Sequence, residues 1–419
     1  MEDMIFRARS LIWGTGLVFL ILFTGAVYTV KLRAVQFRMP KFVINRHGKR
    51  RKNSGFSQRK TVCMALGAAM GTGNITGVSA ALAAGGPGAI FWMWCSAFLG
   101  MAVVYAENSL SAVHSEKNVR GPMAYISRGL GSRKLAAFFA AMCVLACLGM
   151  GGMVQVSSVS DAVKANRDIP EGLIAVTAFA VILAVVSGGA QRIGSAAQIL
   201  LPAAALVYGA ACIAAISLSA EKLPEALGSV FSSAFGIRQA AGGISGYAVS
   251  KAVSTGIRRG IFSNEAGLGS SPLLHSAAEG SDSYEQSMWS MAEVFADTIF
   301  CCSLTAFALL CAAPDLSVET ALGTVFGIYA DHVTTVLLAV FAFCTVIGWY
   351  YCGEEALRYI FKGKSVRIFC VIFSAAASLG ALIGSETVWA VSDIFNGLMA
   401  FPNLTALLLL INRVKRYKE

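Results

Sequence analysis

The sequence predicts an all-α integral membrane protein, a single transmembrane transporter domain of eleven spans over residues 1–419, and three observations carry that expectation. Composition is the first: 56% of the 419 residues are hydrophobic and 14% charged. With a mean hydropathy of +0.66, the chain is too apolar for a soluble domain of this length. The second is that apolar windows of about 20 residues, enough for one helical crossing, recur along the whole chain. The third is that Lys and Arg gather in alternate connections, as the positive-inside rule requires.

In chain order, the apolar stretch 10–30 is too long for a signal peptide and is not followed by a small-residue cleavage site, so it is expected to be retained. Further spans are expected near 61–84, 88–112, 136–160, 173–189, 196–218, 235–262, 286–312, 321–351, 366–383 and 388–411. The stretch Lys31–Lys60 holds eleven basic residues and no acid, which places it in the cytoplasm. Alternation then puts Lys117 to Lys134, Arg192, Arg258 and Arg259, Arg358 to Arg367 and Arg413 to Lys418 on that same side. The amino terminus is therefore expected outside and the carboxyl terminus inside a plasma membrane. The net charge of +11 reads as a topology signal, and no nucleic-acid partner is expected because the basic residues flank spans without interleaved aromatics.

Chemistry of other kinds finds no foothold. The 11 cysteines form no C-x-x-C pair and sit mainly in apolar runs, as free, inert thiols would. His47, His114, His275 and His332 are far apart in sequence. No enzyme, no metal other than a coupling ion, no covalent cofactor and no obligate protein partner is expected.

The stretch MGTGNITGVS (70–79) interrupts the span 61–84 with Gly71, Thr72, Gly73 and Asn74. Non-helical backbone at membrane depth survives only where protein or a water-filled cavity surrounds it. An interrupted helix presents N–H groups at one end and carbonyls at the other, which suit a carboxylate and a cation. Close helix packing is the other use of such glycines. A second interruption is expected at AAGGISGYAVS, with Gly242, Gly243 and Gly246, in the span 235–262. Paired interruptions point to two inverted repeats, 61–218 and 235–411, with 10–30 as an added peripheral helix.

The blocks GTGNITGVSAALAAGGPGAIFWMW (71–94), YAENSL (105–110), GPMAYISRGLG (121–131), GIRRGIFSNEAGLGSSP (256–272), FCTVIGWYYCGEE (343–355) and DIFNGLMAFPNL (393–404) resemble those of the alanine or glycine:cation symporter family. The resemblance spans nearly the whole chain in order. It implies the leucine-transporter-like fold, ten core helices in two inverted five-helix repeats, and uptake of a small neutral amino acid, alanine or glycine, with sodium. It also implies a substrate cradle at Gly71, Thr72, Gly73 and Asn74, completed by Gly242 and Gly243 and faced by Gln155. In that fold a cation commonly lies between hydroxyls of the eighth core helix and carbonyls of the first break. Thr345, with carbonyls near Ala68 and Gly71, is therefore the expected sodium site. Gly152 and Ser157 stand where the family pattern has asparagines, which keeps a proton- or sodium-coupled carrier of glutamine or serine in view. A non-transporting sensor of amino acids is the alternative of another class.

Four acids inside spans, Glu107, Glu293, Asp297 and Asp393, are candidates for ion coupling or for interhelical bonds, with Lys251 or Arg238 as possible basic partners. NEAG in 264–267 reads as a gate or hinge loop on the cytoplasmic side. GGPGA (85–89) reads as an extracellular turn, anchored at the interface by Phe91, Trp92 and Trp94.

Overall fold

The computed structural model describes residues 2–46, 57–116, 118–236, 245–278, 282–363 and 367–414. Among them every regular element is helical, and the one strand-like feature is a bridge between Glu116 and Val119. The chain opens with α1 (Glu2–Ile12) and α2 (Thr15–Lys31), joined at Gly14, then a short α3 (Met39–Arg46). The next span is broken as expected: α4 (Gln58–Ala69) stops, a tight turn covers Thr72–Asn74, and α5 (Thr76–Gly85) resumes.

After α6 (Gly88–His114) and the short α7 (Gly121–Ala124), the helices α8 (Arg133–Ala146) and α9 (Val154–Asn166) run on through widened turns at Cys147–Met153. Then come α10 (Glu171–Val186), α11 (Gly189–Leu218), α12 (Leu223–Ala234), α13 (Ser245–Asn264) and α14 (Ser271–His275). A second pair, α15 (Ser283–Val294) and α16 (Ser303–Ala312), is joined by widened turns at Phe295–Cys302. The chain closes with α17 (Val318–Phe326), α18 (Ala330–Ile360), α19 (Ile368–Leu379) and α20 (Ser385–Leu409).

Six helical stretches among the described residues are long and apolar enough to cross a bilayer: 3–31, 88–114, 133–166, 189–218, 283–312 and 318–360. The others fall short for visible reasons. The break splits α4 from α5, and α20 carries Asp393, Asn396 and Asn403 along its 25 residues.

Connections gather at two ends. At one, Lys60 meets Gln191, Gln58 meets Gln286 and Arg120 lies 3.9 Å from Glu355. At the other, Ser79 donates to the Leu316 carbonyl and Asn166 to Thr335. Between these ends the helices pack by close approach, since lipid offers no hydrophobic drive to association. Gly256 and Gly260 show this: a β-carbon on Gly256 would lie 2.3 Å from the Ala89 carbonyl, and one on Gly260 2.2 Å from Ser96 Oγ. The added helix at the amino terminus is tied to the last one, with Trp13 Nε1 donating to the Asp393 carbonyl and Tyr28 to the Leu407 carbonyl, both at 2.6 Å.

Three expectations change. Residues 321–351 are not one unbroken α-helix: Gly327, at φ 54°, ends α17, and α18 begins at Ala330 within the apolar stretch 318–360. Residues 223–234, expected in a loop, form α12, which packs on α6 and α16. Arg258 and Arg259 lie away from the end of the molecule that holds Lys60 and Arg120, with which alternation grouped them. Their neighbours Gly256 and Gly260 lie against Ala89 and Met93 at the start of α6, the end expected to be extracellular. A local partner set accounts for them, because the Arg259 guanidinium lies 4.5 Å over the Trp389 ring and Asp393 faces both arginines and Arg9. Arg238 lies outside the described residues.

Candidate functional site

The break after α4 is buried. Thr72 and Asn74 have no exposed surface, and the backbone turns sharply at Gly71 (φ −119°, ψ −149°) and Ile75 (φ −104°, ψ −82°). Buried backbone groups need partners, and here they come from distant helices. The Thr72 N–H donates to Gln155 Oε1 at 3.1 Å, and the Asn74 carbonyl accepts from Thr305 at 2.8 Å. The Gln155 amide is itself held by its N–H bond to the Met150 carbonyl, in the widened turns between α8 and α9. Gly71 must be glycine for a plain reason. A β-carbon there would sit 2.4 Å from Thr345 Oγ1 and 2.9 Å from Gln155 Oε1.

Thr345 of α18 does not bond its own helix; it donates to the Gly67 carbonyl at 2.9 Å. The expected sodium residues Ala68, Gly71 and Thr345 thus come together at the carbonyl end of α4, where the helix dipole favours a cation. Asn74 points the other way. Its Nδ2 donates to Asp297 Oδ1 at 2.7 Å and its Oδ1 has no hydrogen-bond partner. The Thr72 hydroxyl is likewise without one. Both atoms are therefore available to a ligand.

Gly242 and Gly243 lie outside the described residues, so their part in the cradle is carried by no contact here. The helix they were expected to break runs uninterrupted from Ser245 to Asn264, with Gly246 inside it. Beyond it the chain is interrupted at Glu265–Ser270, between α13 and α14, with left-handed backbone at Glu265 (φ 58°), Gly267 (φ 88°) and Gly269 (φ 83°), and the last turn of α13, at Phe262 and Ser263, lies against Gly73. NEAG is buried inside the helix bundle, with Asn264 and Glu265 beside Ala65 and Ala69 of α4. Phe262 packs 3.4 Å from the β-carbon position of Gly73, and its ring stacks at 4.6 Å on Trp389.

Asp297 ties the two breaks together. Besides Asn74, its carboxylate accepts from Ser263 and Thr298, each at 2.7 Å, and it is fully buried. The sequence marks Asp297 as a candidate acid within a span but does not join it to Ser263 or Thr298. The signal available was the run of polar residues inside apolar spans. The other acids are anchored elsewhere: Glu107 by Asn403, which also donates to the Gly267 carbonyl, and Glu293 by His275 at 2.9 Å. Gly152, one of the two departures from the family pattern, packs against α19, where a β-carbon would lie 3.0 Å from Ala377 Cβ. That position answers to packing.

A larger cavity of about 400 Å³ lies between α9, α10 and α18, lined by Val159, Ile174, Ala342 and Phe343 and reaching Gln155. Its lining is almost wholly apolar, which would leave a charged amino acid unpaired.

Two buried breaks joined through a carboxylate make an enclosed polar site in an apolar protein, and comparison with known proteins says whose. The model of the sodium:alanine symporter family matches residues 1–419. The chain belongs to the sodium:alanine symporter family. An uncharacterized transporter of Haemophilus influenzae is 38% identical to it, over 97% of this chain and 93% of that protein. The sodium/alanine symporter AgcS of Methanococcus maripaludis is 34% identical, over 98% and 96%. The probable sodium/glutamine symporter GlnT of Bacillus subtilis is 35% identical, over 98% and 88%. This family member is a multi-pass membrane protein and a cation-coupled amino acid transporter, in a family of transporters and not of enzymes.

Proposed function

We propose that the chain is a secondary active symporter that imports a small neutral amino acid, alanine or glycine, with sodium by alternating access. The observation that carries this is the buried first break at Gly71–Asn74 and its link to the helix that ends at the second: Phe262 lies beside Gly73, and Asp297 joins Asn74 to Ser263. The substrate carboxylate takes the N–H groups at the first break, where Gln155 now accepts from Thr72. Its amino group takes oxygens, with Asn74 Oδ1 and the Thr72 hydroxyl at hand. Crowding at Gly71 and Gly73, from Thr345, Gln155 and Phe262, favours a short side chain. Sodium takes Thr345 Oγ1 and carbonyls near Ala68 and Gly71, displacing the bond from Thr345 to Gly67.

In the same reading the fold is leucine-transporter-like. Eleven crossings lie in the plasma membrane, 61–218 and 235–411 are inverted repeats, the amino terminus is outside and the carboxyl terminus is cytoplasmic. The two breaks and the gathering of connections at opposite ends support it.

Uptake of labelled L-alanine, D-alanine, glycine and glutamine into proteoliposomes, under an inward sodium gradient and then under a proton gradient alone, tests the proposal. Sodium-driven entry of alanine or glycine is expected. Entry of glutamine alone would move the substrate to that of the Bacillus subtilis relative, and drive by the proton gradient alone would overturn sodium coupling. Absence of uptake by folded protein would favour a sensor.

A further inference from the structure

Between the second break and the end of the molecule where α4 begins lies a small cavity of about 10 Å³, room for one water-sized occupant. Its lining is mixed. Ala65, Ala69, Val104, Leu274 and Val294 form apolar walls, and the polar groups are Asn264, Glu265, Ser271, Ser290 and Glu293. The two carboxylates differ in how they are held. Glu265 accepts from Trp349 Nε1 at 2.6 Å on one oxygen and from Ser270 at 2.5 Å on the other. Glu293 has one oxygen against His275 Nε2 at 2.9 Å, while its Oε1 is buried without a hydrogen-bond partner.

His275 fixes the other oxygen of Glu293. Its Nδ1 lies 2.6 Å from Gln286 Oε1, whose Nε2 is spent on Gln58. Both ring nitrogens therefore face oxygen, so His275 is held in place from two sides and its contact with Glu293 leaves only Oε1 of that carboxyl free. Two carboxyl groups border the cavity and one of their oxygens, Glu293 Oε1, is buried without a partner, a position that a cation would satisfy.

We propose that this cavity is an inner cation site, separate from the one at Thr345, where sodium rests between the substrate site and the cytoplasm. Glu293 Oε1 is its anchoring ligand, and the hydroxyls of Ser271 and Ser290 and the Asn264 side chain supply the further hard oxygens such an ion prefers. The cavity adjoins Ala69, the last residue of α4, and so lies just beyond the carbonyls assigned to the first sodium site. A sodium ion released from there meets a compensating charge before it meets water. The inference rests on the sodium-symport reading and adds a second stop on the ion's path.

The test is trans-inhibition. Proteoliposomes of wild type, Glu293→Gln and Ser290→Ala are loaded with graded internal sodium, and initial uptake of labelled L-alanine is driven by fixed external sodium. For Glu293→Gln, the ratio of internal to external half-effective sodium is expected to rise about tenfold, as loss of a charged ligand implies. Ser290→Ala removes one neutral oxygen and is expected to raise the ratio about two- to threefold, without disturbing the pair with His275. Equal ratios in wild type and Ser290→Ala, and in Glu293→Gln if it folds, would mean that the cavity holds water only and would overturn the proposal.

Should wild type show no sodium-driven uptake, the transport reading itself fails, and equilibrium binding of radioactive sodium to the purified protein decides the site separately. One equivalent fewer in Glu293→Gln than in wild type supports the inner site; equal stoichiometry overturns it.

Discussion

The two interrupted helices do the same structural job by opposite means. At Gly71–Asn74 the chain stops being helical with small and neutral groups, and the freed backbone is satisfied by Gln155 and Thr305 from other helices. At Glu265–Ser270 the chain turns on left-handed backbone, and a buried carboxylate fastens it, with Trp349 on one oxygen and Ser270 on the other. The first break leaves polar atoms without partners, the Thr72 hydroxyl and Asn74 Oδ1. In the second, the Glu265 carboxylate is bonded on both oxygens and the Gly267 carbonyl is taken by Asn403. One break has polar atoms open to a ligand and the other is fixed, so on the proposed reading substrate recognition and helix geometry are divided between the two interruptions.

The sharpest way to break this comparison is at the bond that joins its halves. Asp297→Leu strands the Asn74, Ser263 and Thr298 donors, at about 1–3 kcal/mol for each buried group left unsatisfied. Uptake should be lost and thermal unfolding should come several degrees earlier, about 2–4 °C per kcal/mol in a chain of this size or somewhat less. Scanning calorimetry or fluorescence unfolding checks it, and an unchanged transition would show that the two breaks are not coupled through this carboxylate.

Gly71→Ala comes next. The added β-carbon collides with Thr345 and Gln155, and overpacking of this kind costs about 1–3 kcal/mol. Alanine uptake should fall below a tenth of wild type while the protein still inserts and purifies; normal uptake would mean that this wall of the site is soft. Thr345→Ala should raise the external sodium concentration giving half-maximal uptake by about tenfold, the effect of about 1.4 kcal/mol in cation binding. An unaltered sodium dependence removes Thr345 from the ion's shell.

Trp349→Phe probes the fixed side with the smallest change, removing one N–H and keeping the ring. It should cost about 1–2 kcal/mol of stability, because Glu265 loses a charge-assisted partner. Its effect on the concentration of alanine giving half-maximal uptake should be less than about twofold, within roughly 0.4 kcal/mol of binding. A larger shift would mean that the second break also recognises substrate.

What the sequence made legible follows the same division. The first break could be read because glycines flank Thr72 and Asn74 inside an apolar run, a local pattern with a local cause. The second was sought among Gly242, Gly243 and Gly246, since glycine density is the available signal. The turn that follows α13 is set instead by Glu265, whose unusual backbone is stabilised by Trp349, 84 residues away in the chain. Such a long-range partner leaves no trace in a window of twenty residues. Arg258 and Arg259 misled for a related reason: the positive-inside rule counts charges, and these two are compensated by the Trp389 ring and Asp393. Gln155 and Thr345, by contrast, are implied by the family resemblance, and both converge on Gly71.

The central claim is that both interruptions close on one amino acid. Hydrogen exchange of the purified protein, followed by mass spectrometry with and without sodium and L-alanine, tests it most directly. Peptides covering Gly71–Asn74 and Glu265–Ser270 should both gain protection only when ion and alanine are present together. Protection confined to one of them, while alanine binds, would contradict the account.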